Sequence, residues 1–133
     1  MKFIGPDGRI YGKNIQEYKW SGESRSEGQR QLGEILTSIL PYSIYSEVPC
    51  FGAGLYMDFY IPQISMCIEF DGKQHEEYVS FFHGSRAGYS KSVRNDVAKQ
   101  LWCESNNIKL IRVNDKDLTT DTIKSKIHDA TSS

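Results

Sequence analysis

Between Leu55 and Asp71 apolar residues fall on every second position. Leu55, Met57, Phe59 and Ile61 alternate with Tyr56, Asp58 and Tyr60, and Ile64, Met66, Ile68 and Phe70 alternate with Ser65, Cys67, Glu69 and Asp71. A period of two predicts two half-buried strands. The Pro62-Gln63 break between them predicts a short turn, so the strands pair as a hairpin. Asp58 then lies on the polar face of the first strand, while Glu69 and Asp71 point the same way on the second, and the three acids can converge.

The rest of the chain organises around this hairpin. Residues 3–11 predict a smaller hairpin around Gly5-Pro6-Asp7-Gly8. After a polar stretch with Ser21, Gly22 and Ser24, the apolar residues Leu32, Ile35, Leu36, Ile39 and Leu40 recur at threes and fours and predict a helix closed by Pro41. Tyr45 to Phe51 predicts a strand, broken by Gly52-Ala53-Gly54. Residues 76–89 have no period and predict a long loop. Ser90 to Asn106 predicts a helix with Val93, Val97, Ala98 and Leu101 on its buried side, Ile108 to Val113 a strand, and Ile123 with Ile127 a last helix. The order helix, three strands, helix, strand, helix predicts one small mixed α/β domain over 1–133 with its core at about 24–114. The helix at 90–106 is the crossover that makes the last strand parallel to its neighbour.

Composition changes the picture in three ways. A formal net charge of −1 excludes a generally basic coat, so any nucleic-acid footprint is local. No apolar run is long enough to span a bilayer and MKFIGPDGRI lacks a signal-peptide core, which predicts a cytoplasmic protein with no membrane partner. Cys50, Cys67 and Cys103 are odd in number, widely spaced and free of any CxxC pair, which predicts reduced, buried thiols rather than disulfides or a structural zinc site.

Three carboxylates on one strand face repel one another unless a cation neutralises them, and hard oxygen donors suit Mg²⁺ or Mn²⁺. A single acid there reads as part of a solvated strand face; the set, followed by Gly72 and His75, reads as a metal site. An isolated His75 would donate to a strand carbonyl, but directly after an acidic strand it is placed to take a proton from water. Ser24-Arg25-Ser26-Glu27 spells a capping box, a local role for Glu27 that requires no active site.

The residues also carry a resemblance. An early helix with a glutamate (SRSEGQRQLGEIL), Glu47 and Asp58 ahead of FYIP, then IEFDGKQH and VRNDVAKQLWCESNNIKLIRV, resemble the PD-(D/E)xK nuclease superfamily. Within it the likeness is to the very-short-patch-repair type and related phage and homing endonucleases. It covers roughly residues 24–114 and implies a restriction-endonuclease-like fold, a small mixed sheet flanked by helices. It implies a divalent-metal-dependent DNA endonuclease in a bacterial or phage-infected cell, acting on duplex, mismatched or branched DNA. Whether the enzyme nicks or cuts both strands depends on oligomeric state, a homodimer being one such state. The resemblance assigns metal binding to Asp58, Glu69 or Asp71 and the Phe70 carbonyl. It puts Asp71 beside the scissile phosphate, His75 as activator of water, and Glu27 and Asp96 as helix-borne acids. One departure stands out. The superfamily lysine two residues after the second acid is an aspartate here, Asp71; Lys73 is near in sequence, and Lys99, one turn after Asp96, is placed to supply the cation instead. Asp96 either orients His75 or Lys99 or pairs with Lys99 and Arg94 on a solvated helix face. A nucleic-acid-binding or regulatory protein without cleavage is the alternative.

Substrate contacts are expected from the second half. Arg86, Lys91, Arg94, Lys99, Lys109 and Arg112 outnumber Asp96 and Glu104, and Tyr78, Phe81, Phe82 and Tyr89 interleave with them. Lys73, Tyr78, Phe81, Phe82, Arg86, Lys91 and Arg94 are therefore the candidate DNA-contacting residues, with Phe81 and Phe82 either wedging into a base stack or pinning the loop to the core.

Overall fold

A computed structural model describes residues 1–71 and 86–132, with side chains throughout except those of residues 86–89. A two-stranded hairpin, β1 (Lys2–Ile4) with β2 (Ile10–Gly12), precedes helix α1 (Glu27–Ile39). A four-stranded sheet follows in the order β3 (Tyr45–Cys50), β4 (Leu55–Ile61), β5 (Met66–Phe70), β6 (Lys109–Val113). The first two pairings are antiparallel. Helix α2 (Arg86–Ser105) crosses from β5 to β6, which pair parallel, and α3 (Thr120–Thr131) ends the chain.

The sheet is buried on both faces, not on one. Leu32 and Leu36 of α1 and Ile123 and Ile127 of α3 pack with Phe59, Ile61, Met66 and Ile68 on one side. Trp102 and Cys103 of α2, with Phe3 of the first hairpin, pack with Val48, Met57, Tyr60 and Cys67 on the other. Alternation in β5 therefore separates two cores rather than core from solvent, while in β4 the faces switch at Asp58, so that Leu55 and Met57 join the core of Tyr60 and not that of Phe59 and Ile61. Cys50, Cys67 and Cys103 are all free and buried. Burial pushes the Cys50 thiol up to about 12, where it is inert as a nucleophile.

Local chemistry fixes the elements, and it corrects three expectations. Ser26, not Ser24, caps α1: its hydroxyl accepts from the Gln29 amide at 3.2 Å, while Ser24 accepts from Trp20 Nε1 at 3.4 Å. Helix α2 begins at Arg86, so residues 86–89 are helical rather than part of a loop. The third concerns its faces. Val93, Val97 and Leu101 are 43, 52 and 56% exposed, while Trp102 and Cys103 are buried. The Trp102 ring stacks on Phe3 at 5.4 Å between centroids and donates Nε1–H to the Phe51 carbonyl at 3.3 Å. Asn106, at the end of α2, accepts from the Ile4 amide at 2.6 Å and donates to the Ile4 carbonyl at 3.0 Å, locking the hairpin to the crossover helix.

Candidate functional site

The pairing of β4 with β5 runs from Ile61–Met66 through Tyr60–Cys67 to Phe59–Ile68 and ends there. The next residues on the two strands are Asp58 and Glu69, and their side chains take over from the backbone ladder. Glu69 Oε2 accepts from the Asp58 amide at 2.9 Å, and Asp58 Oδ2 accepts from the Phe70 amide at 2.8 Å. Each strand's carboxylate thus satisfies an amide of the other strand where the backbones stop pairing. Glu69 is 4% exposed. Its other oxygen, Oε1, takes the Lys99 ammonium from α2.

Electrostatics follows from this packing. Burial, then the neighbouring Glu69 charge, pushes the Asp58 carboxyl up to about 8. Burial also opposes the charge on Lys99, but Glu69 and Asp58 outweigh it and raise its pKa, so the ammonium stays protonated. The Lys99 ammonium pairs with Glu69, and the raised value favours the protonated form of the Asp58 carboxyl beside it.

Asp71 does not join this pair. Its amide donates to the Val113 carbonyl at 2.7 Å, and its Oδ2 lies 3.6 Å from Arg112 Nε. Arg112, paired in register with Glu69 on β6, also bonds the Asp96 carbonyl at 3.1 Å and stands 3.9 Å from the Asp96 carboxylate. Arg112 therefore ties the end of β5 to the crossover helix, and Asp96 pairs with it rather than with Lys99. Among the described residues no group of three His, Cys, Asp or Glu side chains is gathered to hold a metal. The expected three-acid cluster is a two-acid pair because Asp71, one step past the last β5 residue, turns toward Arg112.

Glu27 lies on the exposed side of α1, and its carboxylate bonds Arg30 and Gln31. Instead, Gln29 is the buried polar residue of that helix, 5% exposed. Its Nε2 donates to Glu47 Oε1 at 3.0 Å. Glu47 occupies the position passed over between Ser46–Phe59 and Val48–Met57, directly across from Asp58, and its φ of 51° is left-handed. Neither residue was a predicted site residue. The signal lay in Glu47 itself, an acid in an otherwise apolar strand at the register position of Asp58. The Phe70 ring lies over Gly28, where a Cβ would collide with it, so α1 sits directly above the end of β5. Lys91 and Arg94 are exposed on α2. His75, Lys73, Tyr78, Phe81 and Phe82 lie outside the described residues, as do the side chains of Arg86 and Tyr89.

Among curated proteins the chain is similar to uncharacterized protein 094L of Frog virus 3 (isolate Goorha), 41% identical over 98 residues, which are 73% of this chain and 62% of that protein. It is also similar to uncharacterized protein 307L of Invertebrate iridescent virus 6, 31% identical over 60 residues (45% of this chain, 30% of that protein). Uncharacterized protein 033L of Invertebrate iridescent virus 3 is 32% identical over 65 residues (49% and 34%). The chain thus spans less than two thirds of the first and about a third of the other two. No family model matches the chain. No solved structure matches it either. Among the described residues no helix is long and apolar enough to cross a membrane.

Proposed function

We propose that the chain is a divalent-metal-dependent DNA endonuclease on a restriction-endonuclease-like fold. The observation that carries this reading is the Lys99–Glu69 ion pair beside Asp58. The PD-(D/E)xK resemblance calls for an aspartate and a second acid on adjacent strands and a lysine close to both. The strand position of that lysine holds Asp71, and the crossover helix supplies an ammonium at the second acid instead.

The donor set fits the expected ion. Mg²⁺ is commonly held by one or two carboxylates, with water and substrate phosphate completing its shell. Asp58 and Glu69 supply two, and the raised Asp58 pKa marks a place where positive charge is lacking. A bound Mg²⁺ or Mn²⁺ would polarise a phosphoryl oxygen and acidify a water. The chain's own residues do the rest. Lys99, kept charged, offsets negative charge building on a phosphate and holds Glu69 in place. Gln29 and Glu47 brace α1 against the strand opposite Asp58, and Arg112 fixes α2 and with it the register of Lys99. The resemblance gives proton abstraction to His75.

Supercoiled plasmid with Mg²⁺ or Mn²⁺ tests the reading, with nicked and linear products distinguishing one-strand from two-strand cleavage. Cleavage should stop with chelator and with Asp58→Asn, and fall on the order of 100-fold with Lys99→Met. Cleavage that persists in chelator, or in Asp58→Asn at the wild-type rate, overturns it. Binding of DNA without metal-dependent cleavage would favour a non-cleaving nucleic-acid-binding protein.

A further inference from the structure

Along β4 the faces switch at Asp58: Phe59 and Ile61 pack in the core under α1, whereas Leu55 and Met57 pack in the core that holds Tyr60. Tyr60 is 6% exposed under the first hairpin, Asp58 is half-buried, and Tyr56 is 50% exposed. Tyr56, between Leu55 and Met57, turns to the opposite side of β4, toward Arg25, and half of its surface is open. Two residues along a strand span roughly 6.6 Å, within the reach of one extended nucleotide. Arg25, just before α1, places its guanidinium 6.0 Å from the centre of the Tyr56 ring. Its Nε is 3.4 Å from Glu47 Oε1, the oxygen that also receives Gln29. Arg25 is 73% exposed, yet it is held by a carboxylate that a buried glutamine fixes in turn. An exposed aromatic ring gains little folding stability, and a surface cation–π pair contributes only about 0.5–1 kcal/mol. A half-open ring with a guanidinium over it pairs an aromatic surface for a nucleobase with a cation for its phosphate.

We infer that Tyr56 and Arg25 form a stacking platform for an unpaired nucleotide of single-stranded DNA, two residues along β4 from Asp58. This rests on the endonuclease reading and names its substrate class. A base within a duplex is already stacked on its neighbours and cannot also cover the ring, so the platform selects single-stranded or opened DNA. Arg25 meets the phosphate, and Tyr56 meets the base face without regard to its identity.

Fluorescence anisotropy of a labelled single-stranded oligonucleotide and of its duplex, with chelator present, tests this. The single strand should bind more tightly. Tyr56→Ala should weaken single-strand binding by roughly 5- to 100-fold, the range that base–aromatic stacking supplies, and leave duplex binding nearly unchanged. Tyr56→Trp should restore it and Tyr56→Leu should not, because the effect needs an aromatic face and not apolar bulk. Arg25→Met should lower the salt slope for the single strand by about 0.7, one phosphate contact. Equal losses on single strand and duplex, wild-type binding by Tyr56→Ala, or rescue by Tyr56→Leu would each overturn the platform. Because binding is read without metal, a chain that fails to cut plasmid but gives these results loses the endonuclease reading alone, and one that cuts without them loses only the platform.

Discussion

Asp58 shows how one carboxylate can be both well bonded and electrostatically unfavourable. It accepts the Phe70 amide, yet burial and the Glu69 charge hold its carboxyl near 8 against an ordinary value of 3.8. In the unfolded chain it ionises near 3.9. The folded state therefore binds more protons than the unfolded state between about pH 4 and 8. The stability linked to this group is complete below its unfolded pKa and is lost as pH rises through the folded value. Asp58→Asn keeps an acceptor for Phe70 and removes the titration. In metal-free buffer the variant should melt progressively higher than wild type as pH rises from 4 to 8, by about 3 °C or more at the upper end. Thermal melts across that range check it, and a difference independent of pH would place the Asp58 carboxyl outside a charge-poor site.

At the scale of elements, α2 carries the clearest lesson about what a sequence discloses. The spacing of Val93, Val97 and Leu101 marks one face of a helix correctly, but spacing does not say which face another element will cover. The sheet meets α2 through Trp102, Cys103 and Lys99, on the side away from Val97, and the helix is apolar on both sides. Lys99 reaches Glu69 for the same reason. The strands were easier to read: β4, β5 and β6 lie where alternation and the apolar run put them, because their apolar side chains fill the cores on both faces of the sheet. The acid pair was legible as such. The turning of Asp71 toward Arg112 was not, since it depends on a contact between β6 and the end of β5 that no local pattern encodes. Substitution separates the two helix faces. Val97→Gln should change folding free energy by no more than about 0.5 kcal/mol, and Trp102→Ala should cost about 3–5 kcal/mol. Urea denaturation measures both, and comparable losses would mean that the Val97 face is covered in solution.

For the whole molecule, the three layers meet where β4 and β5 stop pairing. Helix α1 reaches that point through Gln29 and Gly28, α2 through Lys99, and β6 through Arg112. Each layer thus contributes to a locus that holds two acids, one ammonium and a displaceable proton, and its charge balance couples metal binding to the fold. A dication that binds Asp58 and Glu69 should expel that proton, so binding between about pH 5 and 7 should release close to one proton and tighten as pH rises. It should also stabilise the protein by mass action, about 2.7 kcal/mol at a hundredfold excess of free metal over Kd. Calorimetric titration with Mn²⁺ in two buffers of different ionisation enthalpy counts the protons, and melting with and without metal reads the stabilisation. Both responses should vanish in Asp58→Asn. The Lys99→Met variant keeps both carboxylates and loses the ammonium paired with Glu69, so it should bind Mn²⁺ at least as tightly as wild type while cutting poorly. Weaker Mn²⁺ binding in Lys99→Met would instead mean that Lys99 acts chiefly by holding Glu69 in a ligating position, and stabilisation that survives Asp58→Asn would move the metal away from this locus altogether.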